Sequence, residues 1–270
     1  MLETFLLGGA GVLILAVFVW LVSLWRRDAG IVDVFWGLGF VVLVWFYLGR
    51  GGSPAPHQLL HATLVTLWGV RLSGHIFRRN RGRGEDYRYA AMRAHHGPRF
   101  WWVSLFTVFG LQAALIALLS TPLLVVQLAP GDGAWSVWHL LGLALWLIGF
   151  SCEAVADWQL YGFQRRPENR GRVLDRGLWR ISRHPNYFGE AVLWWGYGAF
   201  ALASPGGLWT LGSPLIMTIL LLRVSGVALL EKTIATRRPE YREYVERTSA
   251  FVPWFPKRSQ TPAVAEGSGR

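Results

Sequence analysis

The 270-residue chain has one cysteine, few acids and little charge: 16% of its residues are Asp, Glu, Lys or Arg, with 16 acids against 27 bases. A lone thiol, Cys152, excludes an intramolecular disulfide framework and leaves the redox compartment open. Soluble domains carry about 25% charged residues, so this composition, with 53% hydrophobic residues and 16 tryptophans, excludes an ordinary soluble domain. Neither a GxGxxG nor a GxxxxGK[ST] pattern is present, so any nucleotide site is of a membrane type. No internal repeat and no metal-ligand constellation is evident. The start, Met1-Leu2-Glu3, lacks a positive region, and no small-residue cleavage site follows the first apolar run. That run reads as a retained transmembrane helix and not as a signal peptide.

What is present is a series of apolar runs near the 20 residues needed to cross a bilayer. They predict an all-α polytopic membrane protein with seven helices: Thr4–Trp25, Ile31–Leu48, Gln58–Arg79, Phe100–Leu128, Trp135–Phe163, Asn186–Ala203 and Leu208–Thr236. Pro130–Gly133 is a tight turn, and Pro239–Thr248 a short amphipathic segment. One transmembrane domain over 1–258 and a disordered tail over 259–270 are expected. The bases orient the helices. Two follow the first helix, seven lie between Arg78 and Arg99, seven between Arg165 and Arg183, and seven from Arg237 onward, whereas only Arg50 falls in an alternate loop. The positive-inside rule then puts the N-terminus outside and the C-terminus in the cytoplasm. Topology explains most of the +11 net charge, so no nucleic-acid partner is expected.

Charged groups inside apolar segments are costly, about 2.5–3.5 kcal/mol for a central Asp, Lys or Arg. Asp33, Arg71, His75, Glu153, Asp157, Glu190, Arg223 and Glu231 are such groups and imply a polar cavity. Glu153 and Asp157 share a helix face, as do Arg71 and His75. The stretch Arg176–Glu190 runs from a basic loop through Arg183-His184-Pro185-Asn186 straight into an apolar helix. Two readings fit it: a lipid-headgroup anchor, or a docking site for an anionic cofactor at a helix N-terminus. Asn80-Arg81-Gly82-Arg83-Gly84-Glu85-Asp86-Tyr87 lets guanidinium groups and backbone amides approach a phosphate. Arg165–Arg172 offers a second arginine cluster on the same side. Together they suggest a ligand with several phosphates, such as a dinucleotide.

The segments Trp68-Gly-Val-Arg71, Arg79–Asp86 and Arg183–Glu190 resemble the steroid 5α-reductase family, most closely its bacterial seven-helix branch. The resemblance runs from about residue 30 to residue 256. It implies NADPH-dependent reduction of the Δ4 bond of a 3-oxo steroid, or of a related isoprenoid enone, in a multi-pass protein of the bacterial inner membrane. By resemblance, the cofactor contacts are Asn80, Arg83, Tyr87, Glu153, Asp157, Arg165, Arg172, His184, Asn186, Tyr187 and Glu190. The family polarises the carbonyl with a glutamate on helix two and a tyrosine on helix three. Here Asp33 stands on helix two and the tyrosine position falls near Trp68, so Asp33, Trp68 and Arg71 are the candidate catalytic residues. Glu231-Lys232-Thr233 departs from the family where imidazoles are expected. The partners implied are the enone and membrane lipids, with a monomer expected.

Two other functions stay open on the sequence. Arg-His-Pro-x-Tyr-x-Gly and the tail Glu231…Tyr241-Arg-Glu-Tyr244…Pro253 also resemble the isoprenylcysteine carboxyl methyltransferases, which use S-adenosylmethionine. A non-catalytic sterol-binding protein is the third reading.

Overall fold

The computed structural model describes residues 1–130, 133–224, 227 and 240–257. Among them every regular element is helical. The helices are α1 (Leu2–Arg26), α2 (Ile31–Arg50), α3 (Pro56–Asn80), α4 (Tyr87–His96), α5 (Phe100–Ser104), α6 (Leu111–Leu119), α7 (Thr121–Leu128), α8 (Val137–Gln164), α9 (Pro185–Leu202), α10 (Gly212–Ile219) and α11 (Glu240–Arg247). Five stretches are long and apolar enough to cross a membrane: Leu2–Arg26, Ile31–Arg50, Tyr87–Leu119, Val137–Gln164 and Gly207–Val224. The protein is therefore an all-helical, multi-pass membrane protein. Helices α3 and α9 are left out of that set because polar residues, among them His61, Arg71, Asn186 and Glu190, lower their mean hydropathy.

Three expected elements differ. The basic connection before Arg99 contains α4, whose start is capped by the Asp86 carboxylate accepting from the Arg88 N–H. The expected fourth helix is broken into α5, a π-helical stretch over Leu105–Gly110, α6 and α7. Its break falls at Ser120, just before Pro122, a residue tolerated only in a first helical turn. The expected seventh helix begins as a 3-10 turn, Gly207–Leu211, and passes through α10 into a π-helical stretch that holds Arg223, Leu220–Val224. The rest of that helix, including Glu231, Lys232 and Thr233, lies outside the described residues, as do Gly131, Asp132 and the tail after Lys257.

The chain forms two compact units. The first comprises Met1–Ser151 and Glu190–Ile219. Lipid is as apolar as leucine, so helices in it associate through close packing and polar bonds. Two glycine pairs supply the close packing here. A Cβ on Gly37 would sit 2.6 Å from the carbonyl oxygen of Gly69, and one on Gly69 equally close to that of Gly37. Gly142 of α8 and Gly196 of α9 meet in the same way, at 2.9 Å in both directions. Between these crossings lies an aromatic core of fully buried Phe40, Trp68, Trp194, Tyr197 and Phe200. Leu6, Ile14 and Phe18 of α1 are exposed, as a lipid-facing surface requires.

The second unit comprises Cys152–Gly189 and the described residues from Leu220 on. Its centre is a clamp between the Arg176–Asn186 loop and α11. The Arg183 guanidinium donates to the carbonyls of Val245 and Thr248, 2.8 Å each, and its backbone N–H to Ser249. The Tyr244 hydroxyl donates to the Trp179 carbonyl. Arg247 pairs with Asp175, and the Trp254 N–H bonds the Ile181 carbonyl. Burial pushes the Tyr244 phenol well above its ordinary value, with the neighbouring Tyr241 adding to the rise.

Candidate functional site

In the first unit, Asp33 stands in the first turn of α2 with both carboxylate oxygens occupied. One accepts from the Arg88 guanidinium at 2.7 Å; the other accepts from the Tyr89 hydroxyl at 2.6 Å and the Gln112 amide at 3.4 Å. A carboxylate paired with a guanidinium is an acceptor only, so Asp33 is committed to holding α4 and α6. Nothing in the spacing of Arg88, Tyr89 and Gln112 along the sequence shows that they meet Asp33. Beside this cluster a small apolar crevice of about 20 Å³ lies between α1, α2 and α6, lined by Val12, Leu15, Phe35 and Ile116, with Gln112 at its polar edge.

The acids of the Asn80–Tyr87 loop are likewise engaged. Glu85 accepts from both arms of Arg93, at 2.8 and 2.9 Å, and from the Ala29 N–H. Burial pushes the Glu85 carboxyl up, but these donors outweigh it and leave it below the ordinary range. Asp86 behaves alike: burial raises it, and the hydrogen bonds from Arg88 more than compensate. Gly82 and Gly84 have φ of 77° and 74°, conformations that favour glycine. The glycines and acids thus have a structural reason, the turn and the seating of α4. Arg81, Arg83 and Tyr87 remain exposed, and the Asn80 amide oxygen accepts from Arg79.

Deeper in the same unit, the Arg71 guanidinium lies over the Phe150 ring, 5.9 Å from its centroid. Trp68 is fully buried against Phe40, Trp194 and Tyr197. Its indole N–H has no hydrogen-bond partner, and neither has that of Trp194. Glu190 is buried in the first unit as well.

In the second unit, Glu153 and Asp157 of α8 are both buried, as is His184, whose ring stacks on Tyr187. Asn186, in the first turn of α9, donates its amide N–H to Asp157 at 3.2 Å. Its amide oxygen is buried and without a partner. The structure therefore brings Asp157 and Asn186 together directly. Arg165 lies over the Tyr161 ring, and Arg165 and Arg172 are exposed on the loop after α8. Among the described residues, no group of His, Cys, Asp or Glu could hold a metal ion.

Residues 19–248 match the family described as "Protein of unknown function (DUF1295)". The chain belongs to that family. It is associated with steroid 5-alpha-reductase-like proteins. The chain is 30% identical over 265 residues to the "Uncharacterized protein C594.04c" of Schizosaccharomyces pombe, covering 87% of this chain and 75% of that protein. It is 33% identical over 78 residues to the steroid 5-alpha-reductase DET2 of Arabidopsis thaliana, a match covering 28% of this chain and 29% of that protein. No solved structure matches.

Proposed function

We propose that the protein is an NADPH-dependent reductase of a conjugated lipid enone, of the type of a 3-oxo-4-ene steroid. The observation that carries this reading is the Asn186 amide: held by Asp157 through its nitrogen, and left with a buried, unsatisfied oxygen acceptor. A primary carboxamide, the polar group of nicotinamide, is a donor that fits this acceptor. The similarity to a steroid 5-alpha-reductase supports the same cofactor class. When bound, such a cofactor supplies a hydride.

In this reading Asp157 orients Asn186, and the buried Glu153 and His184 of the same unit, with half-buried Tyr187, make its surroundings polar; Glu190, buried in the first unit, is a further polar group of the same proposal. Asn80, Arg83 and Tyr87 of the first unit, and Arg165 and Arg172 of the second, each present donors of the kind that phosphate oxygens accept. Asp33 acts as a positioning residue, fixing Tyr89 and Gln112 beside the small apolar crevice between α1, α2 and α6. Apolar walls exclude water from the enone, and donors such as the Trp68 N–H and Arg71 stabilise charge developing on its oxygen. Seven passes, an outside N-terminus and a cytoplasmic C-terminus belong to the same proposal, because cytoplasmic arginine loops meet the dinucleotide where it is available.

The methyltransferase reading gains nothing from the motif shared with that family. Arg183 and Tyr244 are spent on the clamp to α11, a structural use that needs no S-adenosylmethionine. The test is NADPH titration of the purified protein with progesterone present. Binding with consumption of NADPH is expected. S-adenosylmethionine binding without any response to NADPH would replace this reading with the methyltransferase one.

A further inference from the structure

Buried N–H groups without acceptors are rare in folded proteins, because each forfeits its hydration for nothing in return. Trp68 and Trp194 carry two of them side by side. Both residues are 0% exposed, their rings are 5.8 Å apart and perpendicular, and neither indole nitrogen has a partner. The contrast lies in the same core: the Trp146 indole N–H does find an acceptor, the Tyr197 hydroxyl, at 3.2 Å.

Position distinguishes the pair further. Trp68 meets Trp194 while His61 meets Phe200, so α3 and α9 run antiparallel here. Arg71 lies one turn beyond Trp68 on α3, and Glu190 one turn before Trp194 on α9. Both ends point the same way, which sets the indole pair one turn inside a charged layer. The carboxylate of this unit nearest the start of α2, Asp33, already accepts from three donors and offers none. The indoles are donors only. A group that satisfies them must be an acceptor, uncharged enough to enter an aromatic core.

We propose that the Trp68 and Trp194 indole N–H groups form a hydrogen-bond seat for the ketone oxygen of the lipid substrate. The proposal rests on the enone-reductase reading and adds Trp194, which the sequence does not single out, to Trp68. The competing use of the two N–H groups is donation to neighbouring ring faces, since Trp194 also packs edgewise on Phe40 and Tyr197.

The test measures equilibrium binding to the full chain in lipid nanodiscs, with no NADPH present, of 4-cholesten-3-one and of 4-cholestene, its counterpart without the oxygen. The variants are Trp68→Phe, Trp194→Phe, and replacement of each indole by benzothiophene, which keeps the ring shape and removes the N–H. Each variant is expected to weaken the ketone about fivefold, the loss of one hydrogen bond, and to leave the hydrocarbon unchanged. Three results would overturn the seat: ketone affinity untouched by benzothiophene, equal losses for both lipids, or binding of neither. Ketone selectivity of this kind in a protein that never consumes NADPH would support the seat and remove the reductase reading. NADPH-dependent turnover with no sensitivity to the N–H groups would do the reverse.

Discussion

Asp33 and Asn186 occupy matching positions, each in the first turn of a helix and each in its own unit, yet their surroundings differ. Asp33 has three donors on its two oxygens. Asn186 has one partner on its nitrogen and none on its buried oxygen. A polar group whose atoms are all engaged by the chain is there to hold the chain. One whose capacity is left over is where a ligand can be recognised. The resemblance alone treats both as site residues; their partners separate architecture from recognition.

The largest expected effect breaks the first half of this contrast. Asp33→Ala leaves Arg88 half-buried without its carboxylate and Tyr89 without its acceptor, which should lower stability by about 3 kcal/mol. The check is the unfolding midpoint of the purified protein in detergent. Asp33→Asn keeps the shape and should cost less, with NADPH affinity unchanged in both variants. Next comes the packing that supports the contrast. Gly69→Ala drives a Cβ into the Gly37 carbonyl and should cost about 2 kcal/mol in the same assay. The second half of the contrast is the reverse experiment. Asn186→Ala should weaken NADPH about tenfold while changing stability by only about 1 kcal/mol, the worth of its bond to Asp157. A stability loss as large as that of Asp33→Ala, with unaltered NADPH affinity, would erase the distinction.

The smallest effect concerns pH. The folded Glu85 and Asp86 carboxyls lie below their ordinary values of 4.5 and 3.8. A depressed folded value contributes stability above the unfolded value, and that contribution is lost as pH falls through the folded one. Melting temperature should therefore decline on acidification below about pH 4.5, and Glu85→Gln should flatten that decline. A decline of equal steepness in the variant would assign it to other groups.

Much of the fold could be read from hydropathy and punctuation, because a bilayer leaves few choices. Helices α1, α2, α3, α8 and α9 begin and end within a few residues of where apolar runs, glycines and Pro185 put them. The break before Pro122 was visible as a Thr-Pro pair inside a long apolar run, but hydropathy does not register a break that stays apolar. Helix α4 was hidden by its charges; Asp86, with an N–H to cap two residues later, was the available signal. The reach of Arg88 and Arg93 to Asp33 and Glu85 was not legible at all, since pairs so far apart in sequence are made by packing. For the same reason, the sequence does not separate loop groups that hold the chain from those, such as Arg83, Arg165 and Arg172, that stay exposed. In the structure Arg183 holds a helix and Glu85 holds an arginine.

The most direct test of the central claim is isotopic. The purified protein is given progesterone and NADPH carrying deuterium on the transferring face of its nicotinamide, and the product is weighed by mass spectrometry. The reading predicts a saturated ketone that has gained one deuterium from the cofactor and one hydrogen from solvent. Saturated product without deuterium, or no saturated product from a protein that also fails to bind NADPH, would contradict it.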